Sequence, residues 1–325
     1  MNKYIVITTI NSVTESIKAF GEHEDWQMIL VGDKKSIAIA DAERRVFLSV
    51  EKQLSFDFEL SKLCPFNHYA RKNIGYLYAI FSGADVIYDT DDDNRPLENW
   101  SMPAFDADKV VSANSNVVNI YRVFTDKHVW PRGYPLAEVL ADKEPVLKSV
   151  SAKIGVWQGL ANGEPDVDAI YRLIVGDKIT FDSHAPVAVE KGVYCPFNSQ
   201  NTFWNKKAFP LLYLPVTVSF RYTDILRGFV AQRILWEYDM LLGFTEATVY
   251  QDRNLHNLMK DFEQEISMYV GFEKLLDVFA AFKTTGEMAS DLVAVYGLLS
   301  KAGIVAEAEL PVVQAWVRDL EKICA

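Results

Sequence analysis

The apolar run Val86-Ile87-Tyr88 ends in Asp89-Thr90-Asp91-Asp92-Asp93-Asn94, which sets four carboxylates within five positions of a strand-like segment. Carboxylates at that density oppose one another's ionisation unless a cation shares the place. The stretch therefore predicts a buried strand whose carboxyl end opens on a cation. In an extended segment Asp89 and Asp91 project to one side and Asp92 to the other. Hard oxygen ligands at this spacing suit Mg2+ or Mn2+, with nucleotide phosphates completing the coordination, as in the D-x-D pattern of enzymes that handle nucleotide sugars. An EF-hand loop begun at Asp89 would need Gly and Glu where the chain has Asn94 and Trp100, so that reading is excluded. A haloacid dehalogenase-type phosphatase also places D-x-D after a strand. It sets the motif near the start of its catalytic domain, however, and usually has Thr or Val where Asp93 stands.

The chain before this motif alternates in kind. Tyr4 to Thr8 reads as a strand, Val13 to Phe20 as a short helix, Trp26 to Val31 as a second strand and Arg45 to Val50 as a third. Such alternation predicts βαβ units, and hence an α/β fold with a mostly parallel sheet and flanking helices. Ligands of such sheets collect at the carboxyl ends of the strands. That rule brings Thr8, Thr9 and Asn11, then Asp33, then Asp89 and Asp91 around one ligand. Thr9, Asn11 and Asp33 suit the reading of a pyrimidine base and ribose, Asp33 taking the base. Ile74, Leu77 and Tyr78 share one face of a predicted helix, and Arg71 and Lys72 at its head are placed to meet a diphosphate.

Size and charge bound the partners. The 325 residues, 50% of them hydrophobic and 13% aromatic, suffice for a packed core. A net charge of -11 argues against a nucleic-acid backbone as the main partner. Met1 runs straight into the first strand, and no window approaches the roughly 20 apolar residues of a membrane span, so the expectation is a cytoplasmic chain without a transmembrane segment. Cys64, Cys195 and Cys324 are too scattered for a disulfide framework or a four-ligand zinc site. A sugar nucleotidylyltransferase would open with a Gly-rich phosphate loop, and nothing of that kind lies between Thr8 and Ser16.

Several separated blocks together carry a family resemblance. They are Ala70-Arg71-Lys72-Asn73-Ile74-Gly75-Tyr76 with Ile87-Tyr88-Asp89-Thr90-Asp91-Asp92, then Val129-Trp130-Pro131-Arg132-Gly133-Tyr134-Pro135-Leu136, and Gln158-Gly159-Leu160-Ala161-Asn162-Gly163-Glu164-Pro165-Asp166. Pro196-Phe197-Asn198-Ser199-Gln200-Asn201-Thr202 and Phe220-Arg221-Tyr222-Thr223-Asp224-Ile225-Leu226-Arg227-Gly228 continue the series. The chain resembles the STELLO-type glycosyltransferase-like proteins over roughly positions 1 to 265. The resemblance implies a GT-A type, Rossmann-like domain over 1–255, with a nucleotide-sugar half at 1–110 and an acceptor half at 111–255. A C-terminal helical region, 256–325, lies outside the clear part of the likeness.

Within that frame the candidate residues of the second half take roles. Arg132 stands in a loop stiffened by Pro131, Gly133 and Pro135, where a guanidinium between aromatics suits a phosphate and a sugar ring. Asp166 or Asp168 caps the helix after it. Asn198 and Gln200 offer amides to sugar hydroxyls. Asp224 resembles the acidic residue that serves as base in inverting GT-A enzymes, the alternatives being an N-cap or an ion pair with Arg227. His256 completes the metal site from the C-terminal side, as happens in several GT-A enzymes. Gln232-Arg233-Ile234-Leu235-Trp236 has the wrong spacing for the Q-x-x-R-W motif of processive enzymes. Tyr269 to Phe282, Met288 to Leu299 and Val312 to Ile323 read as a terminal helical bundle, a candidate homo-oligomer surface whose default is packing onto its own core.

The leading expectation is a metal-dependent glycosyltransferase. It would move a sugar with inversion from a nucleoside-diphosphate sugar, expected to be a UDP-sugar, to a glycan or other hydroxyl acceptor. The alternative is a catalytically silent GT-A-like protein that binds a nucleotide sugar or scaffolds glycan synthesis.

Overall fold

The computed structural model describes residues 1–141, 144–253 and 257–324. Among the described residues ten strands form one sheet: β1 (Lys3–Thr8), β2 (Gln27–Val31), β3 (Arg45–Leu48), β4 (Val86–Asp91), β5 (Asn94–Pro96), β6 (Asp106–Ser112), β7 (Val146–Gly163), β8 (Val187–Val189), β9 (Asn201–Asn205) and β10 (Met240–Gln251). Their order is β3-β2-β1-β4-β9-β7-β6-β8-β10-β5, with β10 also pairing β7. The parallel block β3-β2-β1-β4 is the part that alternation predicts. There the chain returns to the same end of the sheet before each new strand, as parallel pairing requires. Beyond β4 the character changes. β9 runs antiparallel to both β4 and β7, β6 runs antiparallel to β7, and β5 and β8 run antiparallel to β10. Five pairings are parallel and five antiparallel, so the sheet is mixed and the expectation of a mostly parallel one is corrected.

Strand β4 sets the depth at which the acidic residues lie. The predicted strand stops at Tyr88, but the observed one runs on through Asp91 and pairs with β1 as far as Thr8↔Asp91. Asp89 and Thr90 therefore lie in the sheet interior, fully buried. The helix Lys72–Phe81 covers the neighbouring strands closely, because at Gly75 a Cβ would run into Val31 and Val6. On the opposite face Phe20, Trp26, Tyr88, Trp100 and Phe203 form an aromatic cluster.

The C-terminal helices Leu258–Val270, Phe272–Ala281, Met288–Lys301 and Glu309–Cys324 share one apolar core with the N-terminal half. Trp316 is fully buried, its indole donating to the Pro210 carbonyl at 2.9 Å. Buried Glu309 accepts from the amides of Val216 and Thr217. Buried Asp319 accepts from the amides of Glu59 and Leu60 at 2.9 and 2.8 Å, which caps the short helix Glu59–Leu63. Among the described residues no helix is long and apolar enough to cross a membrane.

Candidate functional site

The carboxyl ends of β1, β2 and β4 open on a cleft of about 500 Å3. Thr8, Thr9 and Asn11 line it after β1, Asp33 after β2, and Asp91, Asp92 and Asp93 after β4. The opposite wall brings Arg132, Asp166, Asn198, Gln200, Phe220, Arg221, Asp224, Gln251 and Arg253. Ten residues singled out by sequence thus meet on one surface: Thr8, Thr9, Asn11, Asp33, Arg71, Asp91, Arg132, Asn198, Gln200 and Asp224. Lys72 and Asp89 lie outside that lining, and His256 falls outside the described residues.

At the acidic end, Asp89 and Asp91 do point the same way and do share a cation, which is the ammonium of Lys72 at 2.6 and 3.2 Å. The second oxygen of Asp89 meets Arg227 at 2.9 Å. Asp89 is thus a sheet-interior carboxylate between two buried cations, and Lys72 spends its charge beneath the cleft. Its Nζ also donates to the Thr90 carbonyl. Asp92 does not turn away as strand alternation would have it, because β4 ends at Asp91 and a turn comes next. It accepts from Thr9 Oγ1 at 2.6 Å and from Asn11 Nδ2 at 3.1 Å. Asp91 accepts from the Tyr69 hydroxyl at 2.9 Å, and Asp93 from the Gln251 amide at 3.1 Å. Burial pushes Asp91 up to about 7, Asp93 and Asp89 adding to the effect and Lys72 opposing it. Burial raises Asp93 as well, with Gln251 opposing. Its Oδ1 is buried without a hydrogen-bond partner among the described residues.

At the ends of β1 and β2 Arg71 reaches the lining, but its guanidinium donates to Gln53 and to the Cys64 carbonyl. Asp33 accepts from the amides of Lys34 and His68 at 2.7 and 3.2 Å. His68 in turn accepts at Nδ1 from the Ala70 amide at 3.1 Å, and burial lowers its proton affinity below the ordinary range.

The opposite wall is a lattice of arginines and carboxylates. Arg132 donates to both oxygens of Asp166 and of Asp224. Burial works to raise Asp166, yet Arg132 and Arg221 hold it well below the usual carboxylate range. Asn198 Nδ2 donates to Asp166 at 2.9 Å, and Gln200 Nε2 donates to Gln251. Arg221 is held by Glu265 at 2.8 Å. Asp168 behaves as the predicted cap, accepting from the Tyr171 amide at 2.7 Å, and also holds Trp130. Sequence reasoning misses Asp93, Tyr69, Arg221, Gln251 and Arg253 as site residues. Arg221 stands inside one of the family blocks and Arg253 close to His256, but neither carries a motif that marks it.

The arrangement holds acidic side chains at strand ends, a polar wall after β1 and β2 and a fixed guanidinium-carboxylate wall in one groove. Comparison with known proteins bears on the family. The sequence model of the family described as STELLO glycosyltransferases matches residues 221–324. That match takes in the C-terminal helices, beyond the blocks that carry the resemblance. Two proteins of Arabidopsis thaliana, named probable glycosyltransferase STELLO1 and STELLO2, are 29% and 28% identical over 341 aligned positions, which cover 98% of this chain. The chain spans 44% of the length of either relative. Along nearly its full extent the chain is similar to the STELLO glycosyltransferases, and the family resemblance read from its scattered blocks holds.

Proposed function

We propose that the cleft is the donor and transfer site of a GT-A type glycosyltransferase. It would take a nucleoside-diphosphate sugar, a UDP-sugar in our reading, and pass the sugar to a hydroxyl of a glycan or similar acceptor with inversion. The observation that carries this reading is the crowding of Asp91 and Asp93 at the end of β4, both held up by burial and by neighbouring carboxylates. A divalent cation is the species that relieves such crowding.

The residues present fit Mg2+ or Mn2+. The buried, unpartnered Oδ1 of Asp93 and the cleft-facing Asp91 supply two hard oxygens. Among the described residues no set of three or more His, Cys, Asp or Glu side chains is gathered to hold a metal. Two carboxylates plus substrate phosphates is the usual share a protein contributes to bound Mg2+. When bound, the cation would neutralise charge on the leaving diphosphate. Asp89 leaves the ligand set, because both its oxygens face buried cations.

The chain's own groups divide the remaining work. Thr9, Asn11 and Asp33 hold base and ribose. Asn198 and Gln200, fixed by Asp166 and Gln251, present amide edges to sugar hydroxyls. Asp224 takes the proton of the attacking hydroxyl. To do so it gives up one of its bonds from Arg132, which is then free to stay with Asp166.

That same commitment of Asp224 favours a second reading, nucleotide-sugar binding without transfer. Hydrolysis of UDP-sugars without acceptor separates the two. Release of UDP that requires Mn2+ and disappears in Asp91→Asn supports the enzyme. Tight UDP-sugar binding with no turnover in the presence of any acceptor supports the silent module.

A further inference from the structure

Taking the cleft as the nucleotide-sugar site proposed above, its cations can be sorted by what they still have to give. Five line it: Lys35, Arg71, Arg132, Arg221 and Arg253. Arg71 is spent on Gln53 and the Cys64 carbonyl, Arg132 on Asp166 and Asp224, and Arg221 on Glu265. Lys35 is exposed at the nucleotide end. Arg253 differs from all four. Its side chain is only 9% accessible, yet its nearest ion-pair partner, Asp261, stands at 3.8 Å, beyond hydrogen-bond reach. Among the described residues its buried Nε has no hydrogen-bond partner. The backbone is fixed all the same, since its amide donates to Glu164 at 2.9 Å and the adjoining end of β10 is tied to Asp93 through Gln251.

A buried guanidinium without a bonded counter-charge is costly, and the native arrangement that removes the cost is an anion seated against it. Burial, and after it the nearby Arg221 and Arg172, bring Arg253 down to about 10, with Asp166 opposing them. The planar fork of arginine suits phosphate and carboxylate alike.

We propose that Arg253 grips an anionic group, phosphate or carboxylate, of the ligand bound in this cleft. Two parts of a nucleotide sugar can supply that group, the diphosphate or an acidic sugar ring. The test is calorimetric titration of the full chain with Mg2+ present, using inorganic pyrophosphate, UDP, uridine, UDP-glucose and UDP-glucuronate. Wild type is compared with Arg253→Met, with Arg253→Lys, and with Arg318→Met as a surface charge control. Losing hydrogen bonds to a charged group predicts that Arg253→Met weakens pyrophosphate and UDP about 10- to 100-fold and leaves uridine within about twofold. Arg253→Lys should fall between the two, and it stands in should the methionine variant not fold. Unchanged pyrophosphate and UDP binding, with a tenfold loss of preference for UDP-glucuronate over UDP-glucose, assigns the contact to the sugar carboxylate instead. Arg253-dependent pyrophosphate binding by a chain that ignores both UDP and uridine keeps the anion site and removes the nucleotide-sugar reading. Affinities that are the same in both Arg253 variants and wild type for all five probes overturn the proposal, as does a wild type that binds none of them.

Discussion

Arg227 on the helix Thr223–Leu235 and Asp89 in the middle of β4 meet at 2.9 Å, both side chains excluded from water. With Lys72 on the other oxygen, the carboxylate offsets two buried positive charges. Asp89→Ala leaves Arg227 without its carboxylate and Lys72 with Asp91 alone, and removing one partner of a buried pair costs about 3–5 kcal/mol. Urea unfolding should show that loss as a lower midpoint. A variant of near-normal stability that had lost only its response to Mn2+ would return Asp89 to the role of metal ligand.

Acid should loosen the turn beside the cleft. His68 accepts the Ala70 amide at Nδ1, which only the neutral ring can do, and burial holds its proton affinity down. A folded-state value below the unfolded one, near 6.5, means that the stability His68 contributes is present above that pH and is lost as pH falls through the folded value. Thermal melts between pH 7.5 and 5 should show wild type losing stability relative to His68→Gln as the solution is acidified. Parallel curves for the two proteins would refute the coupling.

How much of the fold and site is legible in the sequence depends on the distance between partners. β1, β2 and the helix at Lys72–Phe81 follow from local periodicity, and so does the cap by Asp168. The shared orientation of Asp89 and Asp91 follows from strand geometry. That their common cation is a lysine does not, although Lys72 is only 17 positions before Asp89 on a neighbouring helix. Arg227 lies 138 positions from Asp89, and no local pattern links them. Spacing alone offers Asp224 an i+3 pair with Arg227, yet Asp224 goes to Arg132 and Arg227 to Asp89. The antiparallel half of the sheet escapes local pattern because β7 pairs several strands along 18 residues, and its exposed first half carries no core periodicity.

Asp224→Asn keeps the shape and hydrogen-bonding reach of the side chain while removing its ability to accept a proton. If it is the base, sugar transfer should fall about 100- to 10,000-fold in kcat. The donor KM should move less than kcat, since the groups proposed for base and ribose, Thr9, Asn11 and Asp33, follow β1 and β2 on the other wall. Steady-state kinetics with a UDP-sugar check this, and unchanged kcat would move the base elsewhere.

Asp319→Ala removes the two bonds that cap the helix Glu59–Leu63 from the far end of the chain. Losing a cap and leaving buried amides unsatisfied predicts a loss of about 1–3 kcal/mol in unfolding free energy. Hydrogen exchange should locate it, with faster exchange at Glu59 and Leu60 than at the amides of β1. Uniform protection in both proteins would count against the cap.

Asp319 reaches Leu60 across 259 positions of chain, and that span governs the order of assembly. A nascent polypeptide leaving the ribosome carries the short helix at 59–63 long before its capping carboxylate has been translated. The early segment must wait, without its cap, until the helix that carries Asp319 arrives to lock it. The helix Glu309–Cys324 therefore completes the fold of a segment synthesised far earlier, and a ribosome stalled shortly before codon 319 would display that segment still open to proteases.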